Sequence, residues 1–137
     1  MNNNWFKTAR LGMFIHWGHS SQQGWELSWS MVGGVFSLPF CQNILIEEYY
    51  RTASTFNPQQ YYPQEWAHLA KSLGVQYVIL TTKHHDGFAL FHTQESDFSI
   101  ANTPYKRDIV DEFVTAMRAQ GLRIGLYFSL SDWQYLC

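Results

Sequence analysis

The chain has 137 residues, enough for one modest domain with a core of its own. Nine Lys/Arg against eleven Asp/Glu leave a net charge of −2, and no basic run or stripe is present, which argues against a nucleic-acid partner. No stretch approaches the about 18 apolar residues of a membrane span, so no membrane partner is expected.

The N-terminal MNNNWFKTARLG lacks the apolar segment of a secretory signal, so a cytoplasmic location is expected. Arg10–Gly18, RLGMFIHWG, is a short apolar run ending in His16, Trp17 and Gly18. It reads as a first strand. A loop rich in Gly, Ser, Gln and Trp follows, from His19 to about Phe40. Ile46–Ser54 reads as a short helix. The Phe56-Asn57-Pro58 tripeptide is a turn signal, because proline disfavours helix at the residue before it. Pro63 then opens a helix at a position where its missing N–H costs nothing. Trp66, Leu69, Ala70 and Leu73 recur at helical spacing, and Gly74 closes the segment.

The second strand is predicted over Gln76–Thr82. Its apolar run gives way to Lys83, His84, His85, Asp86 and Gly87. A strand buried on both faces has no solvated side for charge, so this cluster belongs where the strand emerges. Phe88–Arg107 reads as a long polar loop. Asp108 has the chemistry of an N-cap, and Ile109–Gln120 carries Val110, Phe113, Val114 and Met117 on one helical face, closed by Gly121. Arg123–Leu130, RIGLYFSL, is the third strand, running into Ser131, Asp132 and Trp133.

Strands alternating with helices imply an α/β fold with a parallel sheet and right-handed crossovers. All three strands end in a polar or aromatic cluster. In a (β/α)8 barrel such ends converge on one site. The expectation is therefore an incomplete (β/α)8 TIM barrel, made of its first three parallel strands with their helices and spanning residues 1–137. Met13, Ile79 and Leu126 are expected on its inner face.

The clustered residues also have plainer readings. His16 alone could be a hydrogen-bonded core histidine. His84 and His85 are adjacent, so in an extended segment they point to opposite sides; both reach one pocket only if the strand has already turned. Lys83 could pair with Asp86, and Asp86-Gly87 could be a turn. Paired histidines beside Asp86 could hold zinc, but the usual His-x-His or His-x3-His spacing is missing. Tyr127 could be core, and Trp133 either a packing residue or a platform for a sugar ring. Aromatic residues make up 18% of the chain, and packing explains such an excess before ligand binding does. Glu47-Glu48 read as a solvated helix face, Arg107-Asp108 as a cap and surface pair, and Met13, Met31 and Met117 as core filler. Cys41 and Cys137 form no disulfide framework and read as free thiols.

RLGMFIHWG, FNP followed by EWAHLAKSLGVQYVILTTKHHDGF, and DIVDEFVTAMRAQGLRIGLYFSLSDW together resemble the N-terminal part of the catalytic barrel of the α-L-fucosidases, glycoside hydrolase family 29. The joint occurrence of IHWG and KHHDGF is specific, and the resemblance runs from Trp5 to Trp133. It implies a retaining glycoside hydrolase acting on terminal α-L-fucosyl linkages, with no metal or organic cofactor and a fucosylated glycan or glycoside as substrate. It implies substrate-binding roles for His16, His84, His85 and Tyr127. A Glu-Trp pair lines the same pocket in many relatives. Here the loop reads GWELSWSM, which makes Glu26 and Trp29 the expected equivalents and Trp25 a rival. The family's nucleophilic aspartate is expected beyond Cys137, so no catalytic residue is expected within this chain and the segment alone should be inactive. A non-catalytic sugar-binding remnant and a metal-dependent hydrolase on the same barrel are the alternatives.

Overall fold

A computed structural model describes residues 4–32 and 44–135. Cys41 and Cys137 lie outside the described residues. Four α-helices are described: α1 (Trp5–Thr8), α2 (Ile46–Arg51), α3 (Pro63–Ser72) and α4 (Ile109–Ala119). Three strands, β1 (Gly12–Ile15), β2 (Tyr77–Lys83) and β3 (Arg123–Phe128), form one sheet in the order β1-β2-β3. Both pairings are parallel, with Phe14 opposite Ile79 and Ile79 opposite Gly125. This is an α/β architecture in which α3 and α4 connect successive parallel strands. The first loop is not irregular throughout: short 3-10 turns form at His19–Gln23 and Leu27–Met31. Among the described residues no helix is long and apolar enough to cross a membrane.

One core lies between the sheet and the helices. Val78 and Leu80 of β2 pack there with Ala67 and Ala70 of α3 and Ile109, Phe113 and Met117 of α4. Asp108 caps α4 as expected, its Oδ1 accepting from the Asp111 N–H at 2.9 Å. Arg107 pairs with Glu112 rather than with its neighbour, through two hydrogen bonds of 2.6 and 2.8 Å. The aromatic excess goes partly into this core. The Trp17 ring lies 5.7 Å from Phe56, 5.1 Å from Tyr61 and 5.5 Å from Trp66.

Two expectations about faces are corrected. On α3 the buried residues are Pro63, Ala67 and Ala70, whereas Leu69 and Leu73 are exposed. At 3.6 residues per turn these leucines lie about a quarter to a third of a turn from the buried stripe. The apolar spacing is genuine but points past the sheet. On the sheet, Met13, Ile79 and Leu126 do not share a face. Met13 is paired with Val78, and Leu126 with Leu80, so period-two alternation puts them on the helix-facing side with those residues. The opposite face carries Phe14, Ile79 and Tyr127, followed beyond the end of β1 by His16.

Candidate functional site

The carboxyl ends of the three strands lie side by side, and the side chains predicted for the site meet there. β1 ends at Ile15, so His16 is the first residue beyond it. Its ring centroid lies 5.0 Å from that of His84. The register of β2 against β3 shifts between Thr81 and Lys83, and the strand ends at Lys83. The chain has therefore already turned at His84 and His85. Their rings lie 4.4 Å apart instead of on opposite faces. Tyr127, next to last in β3, lies 6.1 Å from His84 and 6.0 Å from Phe14.

The first loop closes one wall. Glu26 Oε1 stands 3.5 Å from His16 Nε2. Trp29 meets the His85 ring edge-on at 5.5 Å and the His84 ring at 6.2 Å. Trp25 turns away and stacks on Tyr49 at 6.2 Å. Of the loop aromatics, then, Trp29 joins the cluster and Trp25 does not. Trp133 stacks on His85, with centroids 5.1 Å apart and planes 23° from parallel.

Each of the three histidines is anchored through Nδ1 to a hydroxyl. His16 Nδ1 meets Thr81 Oγ1 at 3.1 Å, His84 Nδ1 meets Ser28 Oγ at 2.6 Å, and His85 Nδ1 meets Ser129 Oγ at 2.6 Å. Burial pushes the His84 imidazole down to about 4, with His85 beside it acting in the same direction. Burial also lowers His16, against the opposing pull of Glu26. Both rings are thus neutral near pH 7, and with Nδ1 held by a hydroxyl each has Nε2 left for a further hydrogen bond.

This has a consequence for stability. An unfolded chain takes up protons on these rings near the ordinary imidazole value of about 6.5, whereas the folded chain refuses them until lower pH. Their contribution is complete above about 6.5 and should be lost as the pH falls toward about 4 for His84. Urea midpoints measured between these pH values should fall with acidification, and His84→Gln should flatten the slope. An unchanged slope in that variant would refute the assignment.

Sequence reasoning missed the layer beneath. Asp86 does not pair with Lys83; it lies in a turn, as its sequence allows, closed by the Gly87 N–H donating to the His84 carbonyl at 3.2 Å, but the residue is buried. Its Oδ2 accepts from the Tyr49 hydroxyl at 2.5 Å and its Oδ1 from the Phe88 N–H at 2.9 Å. His19 Nε2 stands 3.5 Å from Oδ2. Burial alone would raise this carboxyl, but the His19 ring, the Tyr49 hydroxyl and the Phe88 N–H outweigh it and hold the group below its ordinary value. The Asp86 N–H donates to Ser28 Oγ at 2.8 Å, which links this buried layer to His84. No local pattern distinguishes Tyr49 from Tyr50, or Ser28 from the other serines of its loop.

Lys83 pairs instead with Asp132, at 3.1 Å, and donates to the Ser129 carbonyl at 3.2 Å. Gly87 is required at this junction. Its φ is +87°, and a Cβ there would lie 2.6 Å from Asp132 Oδ1. Gly87→Ala should therefore cost about 1–3 kcal/mol, through left-handed strain and displacement of Asp132 from Lys83. A denaturation midpoint equal to wild type would contradict this. Among the described residues no three His, Cys, Asp or Glu side chains form a group able to hold a metal ion.

The chain is similar to known proteins over nearly its whole length. The family model described as Alpha-L-fucosidase matches residues 1–136. The human tissue α-L-fucosidase is 38% identical over 138 residues, covering 94% of this chain and 29% of the relative. The α-L-fucosidase isoenzyme 1 from Paenibacillus thiaminolyticus superposes with a TM-score of 0.79 at 41% identity, covering 95% of this chain and 29% of that one. A Thermotoga maritima α-fucosidase crystallised in complex with fucose gives a TM-score of 0.78 at 35% identity, over 96% of this chain and 35% of that one. The chain spans about 30% of the length of the curated relatives it matches. Strand ends, anchored histidines and these similarities lead to one conclusion: the chain belongs to the α-L-fucosidase family.

Proposed function

We propose that these 137 residues form the first three strands of a (β/α)8 barrel that hydrolyses terminal α-L-fucosyl linkages, and that they supply the wall of the sugar pocket. One observation carries this reading: His16, Glu26, Trp29, His84, His85 and Tyr127 gather at the carboxyl ends of adjacent parallel strands. The imidazoles, the carboxylate and the phenol bind sugar hydroxyls, while the indoles of Trp29 and Trp133 offer apolar faces to the ring. The reaction is two-step and retaining, through a covalent glycosyl-enzyme. Such chemistry needs two carboxyl groups about 5–5.5 Å apart. Asp86 is occupied by Tyr49 and Asp132 by Lys83, which leaves Glu26 as the pocket's carboxylate among the described residues. Glu26 serves binding, and the nucleophile comes from outside residues 1–137.

The test uses the full-length protein and an aryl α-L-fucoside. Replacing either His84 or His85 by Ala should lower kcat/KM at least about tenfold, the equivalent of roughly 1.4 kcal/mol of transition-state binding. If both variants keep the wild-type ratio, the pocket assignment is wrong. If the wild type binds fucose without turnover, a non-catalytic sugar-binding role replaces the hydrolase.

A further inference from the structure

We infer that Ser129, in the loop after β3, is a positioning residue that sets the tautomer of His85, so that the neutral ring carries its proton on Nδ1 and presents Nε2 as a hydrogen-bond acceptor. Ser129 Oγ lies 3.0 Å from the Ser131 carbonyl and 2.6 Å from His85 Nδ1. A carbonyl oxygen only accepts, so the contact with Ser131 takes the hydroxyl proton. A serine has one such proton. The shorter contact must then be supplied by the imidazole, with Nδ1–H donating to Ser129 Oγ. Ser129 is buried, so its own hydroxyl has little solvent to turn to in place of these two partners.

The geometry around Ser129 is held from several directions. Its N–H donates to the Lys83 carbonyl at 3.0 Å, and its own carbonyl accepts from Lys83 Nζ at 3.2 Å. Lys83 is bound in turn to Asp132 at 3.1 Å, and the Trp133 N–H donates to the His85 carbonyl at 2.7 Å. Trp133 stacks on the imidazole and Trp29 meets it edge-on, which limits ring rotation. The loop after β3 is thus tied to the end of β2 at the backbone, the side chain and the ring.

His16 has the opposite arrangement. Its Nε2 faces the acceptor-only Glu26 carboxylate at 3.5 Å, so its proton belongs on Nε2 and Thr81 donates to Nδ1. Two rings of one site therefore present opposite polarity, His16 a donor and His85 an acceptor. On the proposed fucosidase reading, the sugar hydroxyl that meets His85 must donate its proton, which makes the contact selective for a hydroxyl in one orientation. Such anchoring of one imidazole nitrogen to define the other is how proteins fix ring function.

The experiment is two-bond 1H–15N spectroscopy of the full-length protein with 15N-labelled histidine, at a pH well above the ordinary imidazole value, with the His85 signals assigned by loss in His85→Gln. Wild type should show the proton on Nδ1. Ser129→Ala should shift His85 toward the Nε2–H form and lower kcat/KM on an aryl fucoside about tenfold, the scale of one hydrogen bond, while Ser129→Thr restores both. A wild-type ring protonated on Nε2 overturns the inference, as does an alanine variant with unchanged tautomer. Should that variant fail to fold, the wild-type spectrum and the threonine variant still decide. The spectrum needs no turnover. A protein that hydrolyses no fucoside but keeps the Nδ1 proton refutes the functional reading and leaves the tautomer assignment standing.

Discussion

Asp86→Ala should destabilise the protein by about 3–5 kcal/mol, the range expected when one partner of a buried charged network is removed. That is a large fraction of the roughly 5–15 kcal/mol that holds a typical domain together. The carboxylate is buried and accepts from the Tyr49 hydroxyl and the Phe88 N–H, with the His19 ring close by. Truncation leaves these groups without an acceptor in a site that water does not reach. Asp86→Asn should be intermediate. One amide oxygen can serve Tyr49 or Phe88, but the amide nitrogen then faces a donor. The pH dependence is a second check. The folded carboxyl lies below its ordinary value, so its contribution is complete above about pH 4 and is lost as the pH falls through the folded value. Asp86→Ala should flatten this acid limb, while the higher window, from about 6.5 downward, still belongs to His84 and His16. Urea unfolding of wild type and variants from neutral to acid pH measures both effects. A loss under about 1 kcal/mol for the alanine variant would show that the network is not a support.

A protein made of these 137 residues alone should self-associate. β1 and β3 each pair with β2 and with no other described strand, so each offers an edge of unpaired N–H and C=O groups. Next to the β3 edge, Leu126 is 52% and Phe128 48% exposed, and both line a cleft with Phe91, Val110 and Val114 of the loop and α4. On the other face Phe14 is 51% exposed. Apolar surface left in water forfeits roughly 25 cal/mol per Å2, and an exposed strand rich in apolar residues is a template for pairing. Light scattering should show oligomers or aggregate, and an apolar dye should bind. Leu126→Lys with Phe128→Lys should shift the population toward monomer. A wild-type monomer with a single cooperative melt and no dye binding would overturn this, because the sheet would then be self-sufficient.

Much of this architecture is legible in the residues themselves. The apolar runs before His16, through Leu80 and through Phe128 are too short for helices and end in glycine or polar residues, which defines three strands and their carboxyl ends. Asp108 and Gly121 bracket α4, and Pro63 opens α3, through backbone chemistry confined to a few neighbouring residues. Because strand ends of successive βα units lie side by side, the meeting of His16, His84, His85 and Tyr127 follows from topology once the strands are known. Other features depended on tertiary contacts that no local pattern carries. The stripe of α3 that would be buried was set by where the sheet lies, which left Leu69 and Leu73 in solvent despite their spacing. The faces taken by Met13 and Leu126 followed from register against Val78 and Leu80. The turn at Asp86 was legible, but its burial was not, because its partners, Tyr49 and His19, are 37 and 67 positions away along the chain. Ser28 and Ser129 looked like ordinary loop serines. A hydroxyl becomes a ring anchor only when folding brings it within hydrogen-bond distance of an imidazole nitrogen, and that distance is a property of three-dimensional packing rather than of residue type.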